Sequence, residues 1–366
     1  MTVPAPSALT FQDILNLAAR GHTLDAATAE AAFGLIIDGK ADDIRIAGLL
    51  MALRARGETP DELLGAVRAV RSRMLPVDNA PEGTIDVCGT GGDGHGTLNI
   101  STSVAFVLAA LGIPVAKHGN RAVSSRSGAS DVLEALGVPL STDAASSLKN
   151  AHIAFLAAPA HHPAMRHAAN ARKTLGVRTL FNLIGPLCNP ARVTRQMTGV
   201  ADPALLDPII TVLHALGSEC VWAACGLPHT DVTGPTTGID EITLAGPTEI
   251  RTLEHGRMAS FELTPDMAGM KAAPLSAIAG GGPEENAAEL EALLRGSHGP
   301  YRDTVLLNAA CALHVAGAAD VLRNGQPDPA ALRQAAARAG TVLDNGQALN
   351  VLNALRTGAA SARTPE

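Results

Sequence analysis

The chain reads as an α/β protein in two parts: an N-terminal helical domain over residues 1–75 and a larger α/β domain over 76–366 with a mainly parallel central sheet. Three observations predict this. Up to Leu75 the apolar residues recur only at helical spacing, and from Pro76 short apolar runs alternate with helix-length segments. The first of those runs, Thr84–Cys88, leads into a loop with five glycines in eight residues. Alternating strands and helices give parallel neighbours, because a crossover must return the chain, and such sheets gather ligands at the carboxyl ends of their strands. With 366 residues and 46% hydrophobic content, two lobes with buried cores are expected.

Within the helical part, Thr59-Pro60-Asp61-Glu62 is a helix start, with threonine as cap, proline at the first helical position and glutamate three residues after the cap. Leu63, Leu64, Val67 and Val70 continue it as an apolar stripe. The segment Ile44–Leu53 is apolar on more than one side, as suits a helix buried between neighbours or in a subunit interface. In the second part, Thr84–Cys88, Ile113–Ala116 and Ile153–Ala157 read as strands, joined by helices that start at Ser101 and at Asp131. Strands near Gln196–Val200 and Glu219–Cys225 extend the sheet, Gly280–Gly282 is a turn, and Glu284–Leu355 reads as helices again.

Net charge is −7 and aromatics make up only 2% of the chain, which leaves little for stacking bases or coating a phosphate backbone, so no nucleic-acid partner is expected. The five cysteines (Cys88, Cys188, Cys220, Cys225, Cys311) are scattered without CxxC spacing and read as core residues in a reducing cytoplasm. The apolar run Val104–Leu111 is broken by Gly112 and Pro114, and the N-terminus has no basic leader, so a soluble protein with no membrane partner is expected.

The glycines Gly89, Gly91, Gly92, Gly94 and Gly96 let backbone N–H groups approach an anion where a Cβ would block it. After Asn99 a helix begins, with Ser101 or Thr102 as its cap, so its partly positive end faces the loop. The next strand delivers Lys117, His118, Asn120 and Arg121 to the same sheet edge. Together these describe a site for a large, highly phosphorylated small molecule. A second cluster, His162, Met165, Ala169 and Arg172, follows i, i+3, i+7, i+10 spacing and so falls on one stripe of a helix over 162–172. Its apolar middle and forked guanidinium suit an aromatic carboxylate, although the same pattern fits a surface helix. His161, His162 and His167 lack HExxH spacing and a cysteine partner, so they do not make a zinc site. Asp240-Glu241 is either solvated surface or a cation site serving a phosphorylated ligand.

The motifs GTGGD (89–93), NIST (99–102), KHGNRAVSS (117–125), DVLEALG (131–137), RKTLGVRTLFNLIGPLCNPA (172–191) and LNAACALHVAG (307–317), with the Asp240-Glu241 pair, occur in an order that resembles the anthranilate phosphoribosyltransferase family over nearly the whole chain. The resemblance implies a nucleoside phosphorylase/phosphoribosyltransferase-like fold, a homodimer formed through the helical domain, and a helical segment 162–190 packed with that domain. It also implies transfer of phosphoribose from phosphoribosyl pyrophosphate to anthranilate on the tryptophan pathway. On that likeness the donor is surrounded by Gly89, Gly92, Asp93, Thr97, Asn99, Ile100, Ser101 and Thr102, and by Lys117, His118, Gly119, Asn120, Arg121, Ala122, Val123, Ser124, Ser125 and Ala129. Anthranilate meets Gly89, His118, Asn120, His162, Met165 and Arg172, and two Mg2+ ions per subunit use Ser101, Asp240 and Glu241. No residue is implied as an acid or base.

Two departures stand out. SGASD (127–131) replaces the family's SGSAD, placing Ala129 where a serine contacts phosphate, and CGLPHTDVTGPTTG (225–238) is longer than the usual turn before the acidic pair. A pyrimidine nucleoside phosphorylase shares part of the pattern, but the GTGGDGHGTLNIST run, the acidic pair and Arg172 favour a diphosphate donor and an aromatic acid acceptor. A non-catalytic relative that binds nucleic acid is disfavoured by the acidic balance.

Overall fold

The computed structural model describes residues 9–121, 126–140, 143–229 and 238–357. Four helices come first: α1 (Phe11–Ala19), α2 (Ala26–Ile37), α3 (Asp43–Arg56) and α4 (Pro60–Arg71). Each starts on a side chain that accepts a first-turn N–H, from Thr10, Asp25, Asp42 and Thr59 respectively, which is why the chain breaks into helices at these points. The Thr59–Glu62 start is present as read, with Glu62 returning to the Thr59 N–H at 2.9 Å.

Glu62 does more than cap. Fully buried, it also accepts from the Leu24 N–H at 2.9 Å and from Arg56 Nη2 at 2.6 and 2.7 Å, tying the start of α4 to the chain before α2 and to the end of α3. Glu62→Gln removes the charge opposite Arg56 while keeping one acceptor oxygen. It is expected to cost about 1–3 kcal/mol, read as a lower urea midpoint with an unchanged slope.

The larger part continues with β1 (Ile85–Gly89), α5 (Ile100–Ala110), β2 (Val115–Gly119), α6 (Ala129–Ala135), α7 (Ala144–Ala151) and β3 (Ile153–Ala157). Two short helices, α8 (Ala158–His161) and α9 (Ala169–Leu175), precede α10 (Leu180–Leu183), β4 (Arg195–Gly199), α11 (Leu206–Ala215) and β5 (Cys220–Gly226). A hairpin of β6 (Thr248–Glu254) and β7 (Arg257–Leu263) follows, then α12 (Pro283–Leu294), α13 (Pro300–Val315), α14 (Pro329–Asp344) and α15 (Gln347–Arg356). The sheet order is β3-β2-β1-β4-β5-β6-β7, parallel from β3 to β5 and antiparallel through β6 and β7. The order reverses at the β1–β4 pair, so the carboxyl ends of β1 and β4 border the crevice where such sheets bind ligands.

Several expected boundaries move. Strand β2 starts at Val115 and runs through Lys117 and His118, which are therefore strand residues, both buried, where loop positions beyond Ala116 were expected. Helix α6 starts at Ala129, two residues before Asp131. The β6–β7 hairpin goes beyond the strands read from sequence; its turn residues His255 and Gly256 both have positive φ (50° and 74°), the geometry of a tight hairpin turn. The single helix expected over 162–172 is absent. Pro163 disfavours helical geometry at His162 (φ −122°, ψ 55°), a 3₁₀ turn occupies Pro163–Ala168, and α9 begins only at Ala169.

Two large cores flank the sheet, and a small third cluster packs Leu148 of α7 on Ala116, Ala154 and Leu156 of β2 and β3. One of the large cores joins α5, α12, α13, α14 and α15 to one face through Phe106, Val107, Leu307 and Leu332. The other joins α1–α4 to α11 and to Val221 and Ala223 of β5. Ala168, Ala171, Leu180, Phe181 and Leu187 belong to this second core, so the segment from α9 to Cys188 packs with the N-terminal helices. On α3, Leu49, Leu50 and Leu53 are buried while Ile44 is 84% exposed and Met51 37%. Among the described residues no helix is long and apolar enough to cross a membrane.

Candidate active site

A cavity of about 750 Å³ opens at the switch point, between the loop after β1, the start of α5, the end of β2 and the segment 169–186. Four of the five loop glycines (Gly91, Gly92, Gly94, Gly96) have positive φ, between 62° and 80°, which explains the glycine density as a requirement of the turn. Gly89 serves differently: with Gly199 paired opposite it on β4, it leaves room for Asp240, whose carboxylate and backbone would collide with a Cβ at either position.

Asp240 Oδ2 accepts the Gly91 N–H at 2.7 Å, and Glu241 Oε1 accepts the Ser101 N–H at 3.2 Å. The cap of α5 is therefore not Ser101 or Thr102. Asn99 occupies the cap position without a side-chain bond to the helix, Ile100 is the first helical residue, and a carboxylate 140 residues away satisfies an orphan N–H. Asn99 Oδ1 instead accepts from Asn286 at 2.9 Å. Burial and the neighbouring carboxylates, Asp93 beside Asp240 and Asp240 beside Glu241, raise the proton affinity of both acids. Both line the cavity as a carboxyl pair whose ionisation is disfavoured without a cation, and solvated surface is excluded for them.

Lys117 is almost fully buried and donates to the Val87 carbonyl at 2.8 Å and to Ser101 Oγ at 3.1 Å, placing its charge beneath the α5 end and near Glu241. His118 Nδ1 lies 3.0 Å from the Gly185 carbonyl. A carbonyl only accepts, so this contact places the proton on Nδ1 and leaves Nε2 as the unprotonated nitrogen. Burial first, then the His162 ring at 5.1 Å, depresses the His118 pKa to about 3, and burial holds His162 at about 4, so both are neutral at pH 7. Asp86, buried on β1, accepts from the His118 N–H at 3.1 Å and from Asn189 Nδ2 at 2.7 Å, fixing the strand under the site. Arg172 stands with its guanidinium 5.3 Å from the Phe181 ring centre, partly desolvated at the cavity wall.

Most residues picked out from the sequence meet here: Gly89, Gly92, Asn99, Ser101 and Thr102 from the first motif, Lys117, His118, Gly119, Asn120 and Arg121 from the second, and Ala129, Arg172, Asp240 and Glu241 from elsewhere. Ala169 lines the cavity as well, and the others among the described residues do not. Ile100 is in the core, Thr97 bridges to Ala279, and Asp93 Oδ1 accepts from the His95 N–H at 3.1 Å. His162 backs His118, and Met165 packs toward the helical core, because the break at Pro163 removes the common stripe. Arg121 is engaged by Asp131 at 3.0 Å and by Glu134. Ala122, Val123, Ser124 and Ser125 lie outside the described residues. Lys173, Arg178, Asn182 and Pro186 also line the cavity and were not singled out, although the 172–191 motif contains all four.

The glycosyl transferase family α/β domain matches residues 82–349, and that family's helical bundle domain matches residues 12–74. The anthranilate phosphoribosyltransferase of Gluconobacter oxydans is 52% identical over 364 residues, 99% of this chain and 98% of that protein. The chain belongs to the anthranilate phosphoribosyltransferase family. The enzyme of this name from Thermus thermophilus superposes with a TM-score of 0.82 at 39% identity, covering 94% of this chain and 98% of the other. The Saccharomyces cerevisiae enzyme, solved with phosphoribosyl pyrophosphate and Mg, gives a TM-score of 0.81 at 27% identity, covering 98% and 99%. Family membership accounts for the fold expected from the sequence, the helical bundle followed by an α/β domain.

The residues that flank 230–237 are held by backbone hydrogen bonds. Gly226 and Ile239 exchange two backbone hydrogen bonds of 2.9 Å, and Leu227 and His229 donate to Pro247 and Ala245. Residues 230–237 lie outside the described residues. With Ile239 fixed by its own hydrogen bonds to Gly226, replacing 230–237 by a short glycine-containing turn is expected to leave the melting temperature unchanged to about 3 °C and magnesium-dependent turnover within about twofold of the parent. Loss of turnover in a folded variant would show that the stretch helps place Asp240.

Proposed function

We propose that this cavity transfers the phosphoribosyl group of phosphoribosyl pyrophosphate to the amine of anthranilate, giving phosphoribosylanthranilate and pyrophosphate. The observation that carries the proposal is the convergence of Asp240 and Glu241 with the glycine loop and the α5 terminus at one end of the cavity, while Arg172 and His118 stand on its walls. The first group suits a diphosphate, the second an aromatic acid.

The amine nitrogen attacks C1 of the ribose, the bond from C1 to the pyrophosphate oxygen breaks, and the electron pair leaves with pyrophosphate. Positioning and electrostatics carry most of this reaction. Arg172 reads the carboxylate through a two-pronged contact, and neutral His118 and Asn120 border the ring and its amine. An aromatic amine is neutral at pH 7 and sheds its proton once bonded to C1, so no side chain must act as a strong base. Asp240, Glu241 and the Ser101 hydroxyl are hard oxygen donors, and the two carboxylates, repelling one another in a confined site, fit a divalent cation that also takes phosphate oxygens and waters. Magnesium, when bound, neutralises charge on the leaving diphosphate. The proposal takes two such ions per subunit, sharing Ser101, Asp240 and Glu241 as protein ligands.

The same proposal places the chain in the cytoplasm as a homodimer divided near residue 75, with the exposed Ile44 and Met51 of α3 available to a second copy. The direct test mixes protein, phosphoribosyl pyrophosphate, magnesium and anthranilate and follows anthranilate fluorescence, with thymidine and phosphate in parallel. Magnesium-dependent loss of fluorescence supports the proposal. Phosphorolysis of thymidine without it would overturn the choice of substrates.

A further inference from the structure

Arg178 lies in the link between α9 and α10, on the segment that also carries Arg172, yet its guanidinium reaches across the cavity mouth to the glycine loop. Nη1 donates to the Gly91 carbonyl and Nη2 to the Thr90 carbonyl at 3.4 Å. It packs so closely on Gly92 that a Cβ there would collide with it, a second reason for glycine at a position that already has φ +72°. The Thr90 N–H is held by the Gly199 carbonyl at 3.0 Å and the Gly91 N–H by Asp240 at 2.7 Å. The turn is thus gripped by its amides from the sheet side and by its carbonyls from Arg178. Burial disfavours the guanidinium's charge most, Asp240 and Asp93 favour it, and Arg54 at the end of α3 opposes it, the net effect being a lowered pKa.

Carbonyl oxygens at the rim of an anion site repel the anion and, left free, let the turn rotate. A guanidinium bound to two of them removes both defects and adds positive charge where a diphosphate must enter. We propose that Arg178 is a positioning residue for the donor: it fixes the Thr90–Gly92 turn and masks its carbonyls, so that the acceptor-bearing segment itself holds the donor loop in shape. The donor-specific part rests on the function proposed above; the clamp on the loop does not.

Arg178→Met and Arg178→Lys separate the two. Hydrogen exchange at the Thr90 and Gly91 amides is expected to quicken at least about tenfold in Arg178→Met, with exchange in β1 and β4 unchanged and melting little affected. In steady-state kinetics the KM for phosphoribosyl pyrophosphate should rise about ten- to a hundredfold, with kcat and the KM for anthranilate within about threefold of the parent. Arg178→Lys, which keeps the charge without the fork, should fall between. Unchanged exchange overturns the clamp, and an equal rise in both KM values, or a loss confined to kcat, overturns the donor-side role. A parent protein that exchanges as expected but transfers no phosphoribose would count against the proposed function, with the exchange comparison still deciding the clamp.

Discussion

Glu241→Gln is expected to lower turnover by roughly a hundredfold or more at limiting magnesium while leaving the fold intact. Charge neutralisation by a bound metal is worth several kcal/mol in a transition state, and losing about 3 kcal/mol of it is about two decades in rate. Asp240→Asn should be milder, because its oxygen can still accept the Gly91 N–H that shapes the loop. The same Glu241→Gln change should raise the melting temperature of the metal-free protein above neutral pH. Burial and Asp240 lift the Glu241 pKa above its unfolded value, so ionisation is disfavoured in the folded state. The parent therefore loses stability as pH rises through the folded pKa and regains it on acidification, and the neutral amide escapes that loss. Opposite signs for activity and stability would mark a pair held for function. Near-parental turnover at limiting magnesium would show that the carboxylate does not serve the metal.

The parts of the site legible in the sequence were those made by local necessity. A glycine-dense loop, with a strand running into it and a helix after it, is a property of a short segment and is found at the expected place, and the basic cluster is found one element early, with Lys117 and His118 inside β2. The cap of α5 was not legible, because its acceptor is Glu241 and nothing near Ser101 in the chain announces a partner 140 residues away. Arg178 was missed for a related reason: an arginine after Gly176-Val177 is ordinary, and only the fold brings it to the glycine loop. The His162–Arg172 stripe failed where local chemistry opposed periodicity, since proline at 163 outweighs helical spacing that on either side looked regular. Of helices α1–α4, only the start of α4 at Thr59 was read individually, although Thr10, Asp25 and Asp42 cap the others in the same way.

Arg172→Ala is expected to lower kcat/KM for anthranilate by roughly ten- to a hundredfold or more, since hydrogen bonds to a charged partner contribute about 1.5–3 kcal/mol. The break at Pro163 leaves Ala169 and Arg172, both on α9, as the members of the predicted quartet that line the cavity, with Arg172 carrying the charge. Its recognition of the acceptor then depends on its own placement over Phe181 and on α9, not on a shared stripe with Met165. The KM for phosphoribosyl pyrophosphate should move little, which distinguishes this variant from those at Arg178. Aniline, an acceptor without the carboxylate, should react poorly with the parent and lose almost nothing further in Arg172→Ala. If anthranilate and aniline lose activity equally, Arg172 supports the packing of α9 against Phe181 without reading the carboxylate. If only anthranilate suffers, the guanidinium selects the acid, and the position of this arginine at the cavity wall sets which aromatic amines the enzyme accepts.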